Sequence, residues 1–118
     1  MSKKESVSCL EKNKRILVVV KEPGKPAYVE SCFENTLEHF QRAVGGYIET
    51  VTIASDLVII CNEEGRLMGL PRNCSVLNVD FCGTILAVGT RGEEFASLKA
   101  STVPMVLRLL GGAQNGEE

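Results

Sequence analysis

The sequence predicts an α+β domain: a small mixed or mainly antiparallel sheet of about five strands, with one or two helices packed on one face. Three observations carry this. Residues 16–20, 57–61 and 84–89 are short, mainly apolar and rich in β-branched side chains, as strands buried on both faces are. Only two stretches, 35–44 and 101–110, combine helical spacing with helix-end signals. The order strand, helix, several strands, helix lacks the strict alternation of a doubly wound parallel sheet.

A chain of 118 residues makes one domain with one modest core, burying roughly 65% of the surface its unfolded form exposes. Residues 1–14 read as a flexible N-terminal tail, 15–110 as the domain and 111–118 as a disordered C-terminal tail.

Taken in order, Arg15 to Val20 is the first strand. Pro23-Gly24 and Pro26 break it by setting a turn and removing ladder donors. Residues 27–31 alternate as a short second strand. Asn35 is placed as a helix N-cap, with Glu38 three residues on in a capping-box pattern and Phe33 packed just ahead. Leu37, Phe40, Gln41 and Val44 follow at helical spacing, the apolar members toward the sheet. Gly45 is the left-handed residue that closes the helix, and Gly46 lets the chain turn. Residues 47–53 alternate as a strand; one reading buries Val51 and Ile53 and leaves Tyr47 and Glu49 at the rim. Ala54-Ser55-Asp56 turns the chain into the 57–61 strand. Asn62-Glu63-Glu64-Gly65-Arg66 reads as a hairpin loop with Gly65 at a positive-φ bulge, and residues 66–68 as its returning strand. Residues 69–73 read as irregular, because Pro71 lacks a donor and holds Leu70 extended. Residues 74–80 alternate weakly around Val76, Leu77 and Val79. After the 84–89 strand, residues 90–94 form a polar turn and Phe95 anchors the chain on the core. Ser101 or Thr102 caps a last helix with Pro104 in its first turn. Val103, Val106, Leu107 and Leu110 form its buried stripe, Arg108 sits at its negative end and Gly111-Gly112 stops it.

Composition excludes several classes. An apolar content of 44% rules out a disordered linker. An aromatic content of 5%, no Trp and a formal charge of −2 argue against nucleic-acid binding, which draws on stacking surfaces and a basic excess. No apolar leader and no run near the length of a membrane span are visible, so no membrane partner and a cytoplasmic location are expected. Cys9, Cys32, Cys61, Cys74 and Cys82 are odd in number and irregularly spaced, with no C-x-x-C, and read as free thiols. His39 is the only histidine, so neither a metal site nor a cofactor is expected.

Three segments, in this order and spacing, carry a resemblance. They are Val44-Gly45-Gly46-Tyr47-Ile48-Glu49; Asn62-Glu63-Glu64-Gly65-Arg66-Leu67 with Gly69-Leu70-Pro71-Arg72-Asn73; and Gly83-Thr84-Ile85-Leu86-Ala87-Val88-Gly89. Together they resemble the uncharacterised family called domain of unknown function three-eight-four-six. The resemblance covers residues 15 to 98 and leaves the C-terminal helix and both tails outside it. It implies no activity and no catalytic residue. It implies a setting: a short accessory protein of a phage, plasmid or other mobile element, acting in a host bacterial cell, where anti-defence proteins are common.

Four residues are the candidate ligand-binding set. Arg72 offers a planar fork to a phosphate or carboxylate, and Asn73 a carboxamide, both between strands. A proline bend with Arg72 in water and Asn73 in a local turn bond explains the same two residues. Tyr47 would add a stacking face and Glu49 a carboxylate at the rim; burial of Tyr47, with Glu49 merely solvated, is the alternative. Gly45-Gly46-Tyr47 follows the wrong dipole end of a helix for an anion site. Gly89-Thr90-Arg91-Gly92 lacks the Lys-Ser/Thr of a phosphate loop and precedes Glu93 and Glu94, so it reads as a turn. No His–carboxylate–nucleophile set can be named, and a non-enzymatic role is expected. The expected function is sequestration of a small anionic, nucleotide-like signal to counter host defence. A homo-oligomer is expected with it, since one small core leaves little room for a pocket inside a subunit. The alternative is a protein-interaction module that inhibits or redirects a host protein through a sheet edge or the acidic turns.

Overall fold

The computed structural model describes residues 14–111. Of the tails expected over 1–14 and 111–118, residues 1–13 and 112–118 lie outside the described residues, while the Lys14 carbonyl accepts from the Asn35 N–H at 2.9 Å and the Gly111 N–H donates to the Arg108 carbonyl at 3.1 Å. The elements are β1 (Arg15–Lys21), β2 (Tyr28–Glu34), α1 (Leu37–Val44), β3 (Ile48–Ala54), β4 (Leu57–Asn62), β5 (Arg72–Val76), β6 (Val79–Cys82), β7 (Ile85–Arg91), β8 (Glu94–Ala96), a 3-10 turn (Ala100–Thr102) and α2 (Val103–Leu109). Six strands form one sheet in the order β2-β1-β7-β4-β3, with β8 paired to the end of β7 that β1 leaves open. All its pairings are antiparallel. β5 and β6 pair separately as a hairpin. The class is the α+β antiparallel one that the sequence predicts.

The helices, however, do not share a face. The three central strands β1, β7 and β4 are apolar on both sides, so each side needs its own cover. In-register rows show the alternation: Val19, Ala87, Ile59 and Val51 stand side by side, and Val20, Leu86, Ile60 and Thr50 form the row behind. The first face is closed by Val106 and Leu110 at α2, with Val76 and Phe81 of the β5–β6 hairpin and Leu98. The second is closed by Phe40 and Val44 of α1, together with Phe33. Phe33, Phe40 and Phe95 stack in a chain with ring centroids 4.9 and 5.2 Å apart, so Phe33 and Phe95 are the anchors expected of them.

Several local readings shift. The N-cap of α1 is Thr36, whose hydroxyl accepts from the His39 N–H at 3.2 Å, while Asn35 instead donates its amide to the Phe95 carbonyl at 3.1 Å. The cap moves because Asn35 is used to tie β2 to the β8 strand. Leu37 is exposed, so the helix buries only Phe40 and Val44. Gly45 does close α1, at φ 82°, and its N–H donates to the Gln41 carbonyl. Gly65 is not at positive φ, and no strand returns over residues 66–68; the turn runs on to Gly69, at φ 73°. The irregular stretch ends sooner than expected, with Arg72 and Asn73 already in β5. The β5–β6 hairpin turns on Leu77 and Asn78, both at positive φ (50° and 71°), the two-residue geometry that suits strand twist. α2 has Pro104 in its first turn and Val106 buried as expected, but Thr102 at its N-cap makes no side-chain capping hydrogen bond.

Candidate functional site

Asn73 lies in β5 with its amide turned inward, donating to the Lys21 carbonyl at 2.9 Å and to the Gly83 carbonyl at 2.8 Å. It thereby pins the hairpin to the end of β1 and the start of β7. Its Oδ1 is buried with no hydrogen-bond partner among the described residues. Arg72 points the other way. Its guanidinium, 64% exposed, donates to the Ser75 hydroxyl at 3.0 Å and pairs with the Asp80 carboxylate of β6 at 3.2 Å. Ser75 donates to the same carboxylate. These hydrogen bonds, the Ser75 one first and the Arg72 ones next, hold Asp80 below the usual carboxylate range. The two residues expected to reach together for a ligand therefore serve separate tasks: one staples backbone, the other knits a surface hairpin.

Tyr47 and Glu49 both sit at the rim, and they enter different grooves. A groove of about 180 Å³ runs between β3, β4 and β6 and is lined by Glu49, Val51, Cys61, Glu63, Arg66 and Asp80, among others. A second, of about 300 Å³, lies over the end of α1 and is lined by Gln41, Gly45, Gly46, Tyr47, Glu64 and Met68 with Asn62. Arg72 and Asn73 line neither, although Arg72 touches Asp80 at the border of the first. Neither of these two grooves holds more than one of Tyr47, Glu49 and the Arg72-Asn73 pair.

Asn62 belongs to both grooves and was not singled out by sequence reasoning. It is buried at the end of β4, donates to the Val44 carbonyl at the end of α1 at 3.1 Å, and accepts from the Glu64 N–H at 2.7 Å. It joins helix, strand and turn, and a side chain on Gly46 would collide with its amide at 2.9 Å. A polar residue closing an otherwise apolar strand was the available signal.

The charge of the two grooves is mostly negative. Glu49 and Glu63 line the first and Glu64 the second; Arg66 is the cation beside Asp80. Burial, then the neighbouring Glu49 carboxylate, push the Cys61 thiol up to about 11. Its Sγ donates to the Glu49 carbonyl at 3.6 Å. Burial also raises Cys74, partly offset by Lys21 and Arg72. Both thiols are thereby kept in the poorly nucleophilic form at neutral pH. Among the described residues no three His, Cys, Asp or Glu side chains are grouped to hold a metal ion. His39 packs edge-on against Phe33, centroids 4.4 Å apart. No helix among the described residues is long and apolar enough to cross a membrane.

A family model described as domain of unknown function (DUF3846) matches residues 15–110. The match runs past residue 98 and takes in α2, beyond the span the three segments suggested. No curated protein and no solved structure matches the chain.

Proposed function

The chain belongs to the DUF3846 family, and we propose that it is a non-enzymatic accessory protein of a phage or mobile element that acts by binding a host protein. One observation carries this reading. Tyr47 and Met68, 71% and 51% exposed, line the groove at the end of α1, and Leu67, the chain neighbour of Met68, is 87% exposed, so large apolar side chains stand in water at this end of the molecule. Large apolar side chains grouped in water mark contact surfaces more often than scattered ones do. Tyr and Met are also enriched where proteins meet.

Sequestration of an anionic, nucleotide-like signal is the role expected of Arg72, Asn73, Tyr47 and Glu49, but Arg72 pairs with Asp80, Asn73 bonds backbone carbonyls, and Tyr47 and Glu49 line different grooves. The carboxylates of Glu49, Glu63 and Glu64 around the same two grooves oppose an anion, which is why a protein partner is the preferred reading.

Affinity capture from a bacterial host lysate, run with the native chain and with Leu67→Ser/Met68→Ser, tests the choice. A defined protein retained by the first and lost with the second, at unchanged melting temperature, is the expected result. A mono-, di- or cyclic nucleotide that raises the melting midpoint with the logarithm of its concentration, in both forms, would overturn it in favour of sequestration.

A further inference from the structure

β3 is the open edge of the sheet at the groove side. It ends the strand order, and among the described residues nothing pairs with its outer side. Its ladder to β4 fixes which backbone groups face out. The Tyr47 carbonyl accepts from the Glu63 N–H at 2.8 Å, so the 47/63, 49/61 and 51/59 pairs are the ones that exchange hydrogen bonds. Ile48, Thr50 and Thr52 then turn their N–H and C=O groups away from β4, toward water. Proteins guard such edges with lysine, proline or a mid-strand bulge. β3 carries no lysine or proline and is straight from Ile48 to Thr52, its register shifting only between Thr52 and Ala54. Five of its seven residues are β-branched, the composition of a strand that pairs well.

From this edge we infer that the chain binds its partner by adding an extended, basic segment of that partner as a further antiparallel strand beside β3. This rests on the protein-binding reading and specifies its partner. Every pairing already in the sheet is antiparallel, so the added strand continues the same ladder. On the groove side β3 presents Glu49, then Val51, then Ile53, the last two half-buried. An antiparallel strand meets them in reverse. Its matching side chains read apolar, any residue, apolar, any residue, Lys or Arg. The basic residue meets Glu49 and Glu63, whose carboxylates make no ion pair among the described residues. Asp80 is already held by Arg72, and Arg66 also lies near it; Glu49, Glu63 and Asp80 against Arg66 and Arg72 still leave the groove side with an excess of negative charge for a basic residue to meet. A second copy of this chain fits the edge less well. Its own β3 supplies Glu49 and no cation, so it leaves the carboxylates unmatched.

Panning displayed random short peptides on the intact chain tests the inference, with amide shifts of the labelled protein locating the winners. Enrichment of the apolar-x-apolar-x-Lys/Arg pattern, with shifts concentrated on Ile48–Ala54, is the expected result. Thr50→Pro removes only an outward donor, which an edge strand tolerates, and is expected to abolish binding of the synthetic peptide Val-Thr-Val-Thr-Arg. Glu49→Lys leaves the backbone edge intact and is expected to weaken the same peptide about fivefold and to reduce its preference over Val-Thr-Val-Thr-Glu. Binders that shift Gly45 and Met68 but spare β3 overturn strand addition and leave the protein-binding reading in place. A library with no binder overturns both. A doubled mass in light scattering that Thr50→Pro halves overturns the partner in favour of a second copy.

Discussion

Replacing Asn73 by alanine removes two donors at once, leaving the Lys21 and Gly83 carbonyls short of a partner in a half-buried place. The expected cost is about 1–3 kcal/mol in chemical denaturation. Arg72→Ala next door removes an exposed ion pair, which solvent screens, and is expected to change stability far less. Equal effects from the two neighbours would mean that Asn73 is not the staple described. Asp80 adds a pH signature. Its carboxyl is held below its ordinary value of 3.8, so the folded state binds a proton less readily than the unfolded chain does. Its contribution is complete above the ordinary carboxylate range and fades as pH falls through the lowered value. Asp80→Asn is therefore expected to flatten the acid limb of the stability profile and leave the neutral region nearly level. Cys61, with its thiol pushed up to about 11, is expected to alkylate much more slowly at neutral pH than exposed Cys32, as read by mass spectrometry of labelled peptides.

Among the elements, the strands β1, β4 and β7 were legible because their apolar, β-branched composition leaves few other ways to bury them. Both helices were legible from the spacing of their apolar residues, and Gly45 from the geometry a helix end demands; the caps were not, since Thr36 rather than Asn35 caps α1 and Thr102 makes no capping hydrogen bond at α2. The β5–β6 hairpin was not. Its turn uses Leu77, a residue that seldom takes positive φ, where Asn-Gly would have announced it. The same holds for Gly65, whose reason is space rather than torsion: an added Cβ would stand 2.8 Å from the Cys82 carbonyl oxygen. Only the tertiary contact between the 63–69 turn and β6 explains it. Gly65→Ala is thus expected to push that turn off the hairpin at a cost of about 1–3 kcal/mol, seen as a lower denaturation midpoint. An unchanged midpoint would show that the turn yields freely. Of the candidate site, the rim position of Tyr47 and Glu49 was legible from alternation in β3. That Arg72 and Asn73 part company was not, since strand alternation sends neighbours to opposite sides and the sequence hid that β5 begins at Arg72.

At the scale of the molecule, one sheet divides two apolar clusters that share no side chain. Each has its own lid: α2 with the β5–β6 hairpin on one face, α1 on the other. The division makes a counterintuitive prediction about coupling. Ile59 and Ile60 are bonded neighbours in β4, yet the first packs in one cluster and the second in the other. Ile59→Val and Ile60→Val are each expected to cost about 0.5–1.5 kcal/mol, the usual loss for one buried methylene. The double variant is expected to cost their sum to within about 0.5 kcal/mol, because neither cavity shares a wall with the other. Ile59 and Ile85, far apart in sequence, lie in the same cluster, so their pair is expected to depart from additivity by more than the adjacent pair does. Urea denaturation of the six chains, native, the single variants Ile59→Val, Ile60→Val and Ile85→Val, and the two doubles, measures both cycles. Strong coupling between Ile59 and Ile60 would show that the backbone of β4 transmits strain across the sheet and that the two faces act as one core.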